Sequence, residues 1–199
     1  MPRPRAVDTT GADTRERILR SALLVIAERG YAQTRLGDVA DTAGVSLGLV
    51  QHYFGTRDGL LAAAFASGST AALATANAIA TGPGSPRERL DALVAFACSD
   101  GPDAADGSWA FWFEFWLAAS REPTLALANH TYDQAWQAAF AGVIAEGTAD
   151  GAFNPDAPAE AVAARIGALI DGTMLRRMLR ASGSTDDLTT TIAALVGSR

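Results

Sequence analysis

The sequence contains no lysine, so all sixteen of its cationic side chains are arginines. Cysteine is nearly absent too: Cys98 stands alone, which rules out an intrachain disulfide and any multi-cysteine metal site. With only His52 and His130 beside it, the residues for a nucleophile, a base and an orienting partner are scarce. No catalytic residues, no metal and no cofactor are therefore expected, and the chain does not read as an enzyme. Cys98 follows Val94, Phe96 and Ala97 and reads as a small hydrophobe on a helix. No unbroken apolar run reaches the ~18 residues that a membrane span needs, so no membrane partner is expected. The start, Met1-Pro-Arg-Pro-Arg5, leads into polar residues instead of the apolar core of a secretory signal, and the expected location is cytoplasmic. Convincing period-2 alternation is missing as well, which argues against strands.

What is present is charge of uneven distribution. The net charge of −6 is unlike a nucleic-acid binder, yet the first 60 residues carry eight arginines against seven acidic residues. The acidity belongs to the rest of the 199-residue chain.

Apolar periodicity and breakers divide the chain into about nine helices, an all-α fold. Residues 1–12 read as a flexible arm. A first helix starts at Asp13, with Glu16 completing a capping box, carries the stripe Ile18, Ala22, Val25, Ile26 and stops at Gly30. Short helices follow over 36–43 and, capped by Ser46, up to Phe54. A long helix covers 57–81, and Gly82-Pro-Gly-Ser-Pro86 is a loop. Helices over 86–99, 104–120 and 123–149 come next. Asp156 is placed to cap a helix reaching Ala181, and Ser184 with Asp187 to open the last one.

Two short helices joined by a glycine-containing turn suggest a helix-turn-helix, whose second helix enters the major groove by its N-terminal part. Ser46 and Gly48 are small there. Glycine inside a helix costs ~1 kcal/mol against alanine, which makes sense where backbone must approach DNA closely. With Val50 and Phe54 facing inward, Gln51 and His52 face outward, able to hydrogen-bond bases or phosphates. Arg57 opens its helix where the macrodipole disfavours a cation, which hints at an external anion.

The stretch Gly30 to Leu61 resembles the DNA-binding domain of TetR-family regulators. The likeness rests on the glycine ending the first helix and on Val39-Ala40 and Ala43-Gly-Val-Ser46 around the turn. Tyr53-Phe54 at the end of the third helix, and Arg57 with Leu60-Leu61 opening the fourth, complete it. The resemblance implies a ligand-responsive transcriptional regulator, by the family's habit a repressor. It implies a helix-turn-helix head over 13–56 and a ligand-binding and dimerisation domain over 57–199. The implied partners are palindromic double-stranded operator DNA, a second copy and a small-molecule effector. The DNA-binding residues it marks are Thr34, Arg35, Ser46, Leu47, Gly48, Leu49, Gln51, His52, Tyr53 and Arg57, with Tyr53 and Arg57 on phosphates. Two positions depart from the family: Arg35 stands where Ser or Thr usually caps, so Thr34 is the expected cap, and Gly37 replaces a polar residue.

The block Trp109 to Trp116, with Arg121-Glu-Pro123 and Ala168-Leu-Ile-Asp-Gly172, resembles the BetI-like branch, whose namesake senses choline. Trp109, Trp112, Phe113 and Trp116 share one helical face, and Tyr132 and Trp136 follow on the next helix. Aromatic faces bind quaternary ammonium groups by cation–π attraction. These six are the candidate ligand-binding residues, although aromatics at such spacing also serve as plain core. Glu114 projects away from that face. The family pairs through its last two helices, here about 157–197, where Ala161, Ala164, Gly167, Ala168 and Gly172 permit close approach.

Overall fold

The computed structural model describes residues 11–99, 109–179 and 185–197, and among them nine helices and no strand. In chain order these are α1 Gly11–Arg29, α2 Leu36–Ala43, α3 Leu47–Phe54, α4 Arg57–Ala80, α5 Pro86–Ala97, α6 Trp109–Ala119, α7 Pro123–Ala149, α8 Ala159–Met178 and α9 Thr185–Leu195.

Two compact units form. The first comprises α1, α2, α3, α4 as far as Thr70, and α6. Its core follows the helical repeat: Ile18, Leu19, Ala22, Val25 and Ile26 of α1 are buried with Val39 and Ala43 of α2 and Val50 of α3. Leu60, Leu61 and Phe65 of α4 close it from one side. α6 packs on α1 and adds Phe111, Trp112, Phe115 and Ala119. Phe115 stacks on Phe65 with ring centres 3.6 Å apart, and Trp112 meets Phe65 edge-on at 5.7 Å.

The second unit holds the remainder of α4, then α5, α7 from Ala126, α8 and α9. Its core is Leu90, Leu93, Phe140, Val143, Ile144, Val162, Ile166, Ile170, Met174, Leu188, Ile192 and Val196. Gly147 makes room for the buried Phe153 ring, which a Cβ at 147 would approach to 2.3 Å. Ser85 caps α5 through a reciprocal box with Glu88, its hydroxyl accepting the Glu88 N–H and its own N–H reaching the Glu88 carboxylate at 2.8 Å.

Several expectations need correction. α1 is already helical at Gly11, so Asp13 lies inside its first turn and is not a cap, and positions 11 and 12 belong to a helix instead of an arm. Asp156 does not cap α8; its carboxylate accepts from the Arg165 guanidinium at 3.1 Å. Pro158 takes the cap position, and the helix ends at Met178. α4 passes, by length and composition, as a helix able to cross a membrane. Its apolar content is alanine-rich and interrupted by Ser67-Gly-Ser-Thr70, and Leu60, Leu61, Ala64, Phe65, Ala72 and Ala76 lie in the core. The expected arm before Gly11, the helical start at Ala104 and the Ser184 cap lie outside the described residues.

Candidate nucleic-acid interface and aromatic helices

The turn between α2 and α3 is set by local chemistry. Gly44 takes a left-handed φ of 64°; its N–H reaches Asp41 O, and the Val45 N–H reaches Ala40 O at 3.0 Å. These two bonds satisfy the last carbonyls of α2 and turn the chain sharply. Ser46 then caps α3, its hydroxyl accepting the Leu49 N–H at 3.2 Å. Val50 is fully buried and fixes the helix phase. That phase leaves Ser46, Leu47, Gly48, Gln51 and His52 exposed, with Leu49 and Tyr53 partly so. Among the described residues a Cβ at Gly48 would meet nothing within 4 Å, so none of them demands a glycine there. Arg35 is exposed just before α2.

Other candidates have work inside the chain. Thr34 is buried, and its hydroxyl donates to Gly30 O at 2.9 Å, so it does not cap α2. Arg35 holds the cap position, but a guanidinium has no acceptor to offer. The cap is therefore one-sided, with the Arg35 N–H donating to Asp38 at 3.2 Å. The Arg57 guanidinium donates to Thr34 O at 2.7 Å and to Tyr31 O, pairs with Asp58 and lies over the Tyr31 ring. The Tyr53 hydroxyl donates to Gly11 O at 3.2 Å, fixing the start of α1. Within residues 30–57, Arg35 and one side of α3 are thus exposed, and the turn over 30–34 is held by Thr34 and Arg57.

The aromatic block of α6 divides between two environments. Phe111, Trp112 and Phe115 lie in the core, whereas Trp109, Phe113 and Trp116 are half-buried and touch one another, Trp109 lying 5.5 Å from Phe113 and 6.0 Å from Trp116. In the second unit Trp136 stacks on Phe96 at 5.8 Å and Phe140 at 5.9 Å, and meets Tyr132 edge-on. Asp171 of α8 is pushed up to about 6 by burial, with Asp133 of α7 adding repulsion. Burial also raises the Cys98 thiol, against the pull of Arg177, and so favours its protonated form. Among the described residues no group of three His, Cys, Asp or Glu side chains could hold a metal ion.

α8 shows a second face. Val162, Ile166, Ile170 and Met174 point into the core, while Ala161, Ala164, Ala168, Gly172, Leu175 and Leu179 are exposed in a stripe. Among the described residues, none lies within 4 Å of where a Gly172 Cβ would sit.

A capped, exposed helix after a tight glycine turn defines a helix-turn-helix DNA-binding protein. The sequence relatives define it further. Residues 18–64 match the family model of bacterial regulatory proteins of the tetR family, and 86–197 match that of the BetI-type transcriptional repressor C-terminal region. An HTH-type transcriptional regulator BetI of Burkholderia thailandensis is 34% identical over 166 residues, 83% of this chain and 82% of that one. Its counterpart from Paraburkholderia phymatum is 33% identical over 167 residues, covering 83% and 81% of the two chains. A transcriptional regulator of Saccharomonospora viridis, solved in complex with choline, superposes with a TM-score of 0.77 at 28% identity over 92% of this chain and 95% of that chain. The reduced form of Escherichia coli NemR, 17% identical with a TM-score of 0.80 over 94% of this chain and 100% of that one, shares the fold. The chain belongs to the TetR family of transcriptional regulators, with a BetI-type C-terminal region.

Proposed function

We propose that the protein is a cytoplasmic repressor that binds an inverted-repeat operator as a homodimer and is released by a small quaternary ammonium cation. The exposed face of α3 carries the DNA reading. Ser46, Leu47, Gly48, Leu49, Gln51 and His52 meet the base edges and their surroundings, flanked by Arg35, Tyr53 and Arg57 on the phosphate side. Gly48 supports this assignment, since its open Cβ position leaves close backbone approach to a partner as the reason for a glycine. One such helix reads too few bases for a specific site, so two are needed, and the small-residue stripe on α8 within 157–197 offers the pairing surface.

The effector class rests on the choline complex of the Saccharomonospora viridis neighbour and on aromatic faces suited to a cation. The partly open ones are Trp109, Phe113 and Trp116 in the first unit and Tyr132 and Trp136 in the second. Trp112 is 7% exposed and ringed by Phe65, Phe111 and Phe115, so its role is packing. A cation releases DNA only by binding the non-reading conformation more tightly than the reading one.

The test is fluorescence anisotropy on labelled duplexes from the regions flanking the gene, with choline titrated into the complex. Salt-sensitive binding to an inverted repeat by a dimer, reversed by choline together with a change in tryptophan emission, is expected. Tight binding of a monomer to an isolated half-site overturns the dimer. A complex and a tryptophan emission both indifferent to millimolar choline overturn the effector class.

A further inference from the structure

The peptide that follows α1 is gripped from two sides. α1 ends at Arg29, and Gly30, with φ 86°, closes it by donating its N–H to Ile26 O at 2.9 Å. In that simple cap the next N–H has no carbonyl to return to. It belongs to Tyr31, and it donates to the Glu114 carboxylate of α6 at 2.8 Å. The same carboxylate fills the space beside Gly30, where a Cβ would come within 3.0 Å of it. On the other side of residue 31, the Tyr31 carbonyl accepts from Arg57, which also holds Thr34 O at 2.7 Å. Thr34 closes the turn by donating to Gly30 O. Arg35, the cap residue of α2, comes next in the chain.

Glu114 is the one charged residue in α6, whose sequence is otherwise aromatic, alanine and leucine. A carboxylate beside the C-terminal end of α1 is disfavoured by the helix dipole, so its placement calls for a specific compensating bond. A charged acceptor on a backbone N–H makes a stronger bond than a neutral one, and such bonds weaken steeply with length and angle.

We propose that Glu114 is a positioning residue for operator recognition: it fastens the turn that carries α2 and α3 to α6, as Arg57 fastens the same turn to α4. The position of α6 is thereby read at the Tyr31 peptide. α6 also bears the half-buried Trp109, Phe113 and Trp116, so a displacement of that helix lengthens the 2.8 Å bond and frees the turn. This inference rests on α3 being the operator-reading helix.

The experiment compares Glu114→Ala, Glu114→Gln and Glu114→Asp in the full chain. Affinity is measured for a duplex that the wild type binds specifically and for an unrelated duplex, alongside amide exchange at Tyr31 and thermal melting. Removing a charge-assisted bond should cost Glu114→Ala about tenfold or more in operator affinity while the unrelated duplex changes by less than about twofold. Tyr31 exchange rises in parallel. Glu114→Gln keeps an acceptor at the same reach and stays within about threefold of the wild type. Glu114→Asp keeps the charge but loses a methylene of reach, and behaves as the alanine variant. Alanine and aspartate variants with wild-type operator affinity and unchanged Tyr31 protection overturn the proposal. So does a loss shared equally by both duplexes and tracking a fallen Tm, which is fold support alone. Should Glu114→Ala not fold, the contrast between Gln and Asp decides on the same readouts. A wild type that binds no duplex specifically removes the operator reading, and the Tyr31 exchange of the three variants then tests the fastening by itself.

Discussion

At Gly48 two requirements pull in opposite directions. Inside α3 glycine weakens the helix by ~1 kcal/mol against alanine, and none of the described residues occupies the space that an alanine methyl would fill. Gly48→Ala is therefore expected to raise the melting temperature by about 2–4 °C and, in the same protein, to lower operator affinity. Calorimetry and anisotropy on one preparation check both signs. A variant both more stable and equally tight on DNA removes close backbone approach as the reason for the glycine. The exposure of Gln51 and His52 was legible in the sequence from the inward phase of Val50 and Phe54, of which Val50 is buried and Phe54 half-buried. The work of Thr34 and Arg57 was not. Their partners, Gly30, Tyr31 and Thr34 itself, come together only when the turn after α1 folds back, and Arg57 finds the Tyr31 carbonyl 26 positions away. Charge at a helix start pointed to an external anion, and the carbonyls that Arg57 also holds within the chain gave no signal of their own.

Among the elements, the ends marked by self-contained signals were readable. Gly30, Gly44 and Gly55 with positive φ, and Ser46 with its reach to Leu49, work through atoms within a few residues of each other. Asp156 failed as a signal because α8 starts at Ala159 with Pro158 in the cap position, and the Asp156 carboxylate pairs with Arg165 instead. α6 resisted for a different reason: it is apolar at every position except Glu114, so its pattern has no polar side from which to tell core from surface. Only packing distinguishes Trp112 from Trp116. α8 is the opposite case, with a buried stripe of Val162, Ile166, Ile170 and Met174 and an exposed one of small residues. An exposed stripe of that kind suits pairing with its own copy, where twofold symmetry brings like residues together. Ala168→Arg should then place bulky like charges in the contact, shift the sedimenting species from dimer to monomer, and weaken operator binding by about 100-fold or more, since a half-site alone holds little affinity. Ala74→Arg, also at an exposed position but on α4, serves as the control and should leave both measurements unchanged. A dimer that survives Ala168→Arg moves the interface elsewhere.

For the molecule as a whole, the response of stability to pH adds opposed contributions, and Asp171 can be separated from them. Its carboxyl is raised to about 6 in the folded chain, first by burial and then by the facing Asp133, from a usual value near 3.9 when unfolded. Below about pH 4 the group is protonated in both states and costs nothing. As pH rises from about 4 to 6 the unfolded chain gives up its proton first, so the unfolded state gains ground. Above about pH 6 the native state carries the full penalty of a buried charge. Glu88 acts in the reverse sense, because hydrogen bonds from Ser85 hold its carboxyl below the usual range and that stabilisation is lost as pH falls. The wild-type curve mixes both effects, but the difference between wild type and Asp171→Asn cancels Glu88. That difference should be near zero at pH 4, grow between pH 4 and 6, and level off above, with the variant the more stable by about 1 kcal/mol once partial exposure to solvent is discounted. In a chain of 199 residues this is about 2–4 °C, well within the reach of a thermal melt. Equal melting temperatures at pH 7.5, or a gain that appears only in acid, would show that Asp171 is ionised in the native state without penalty.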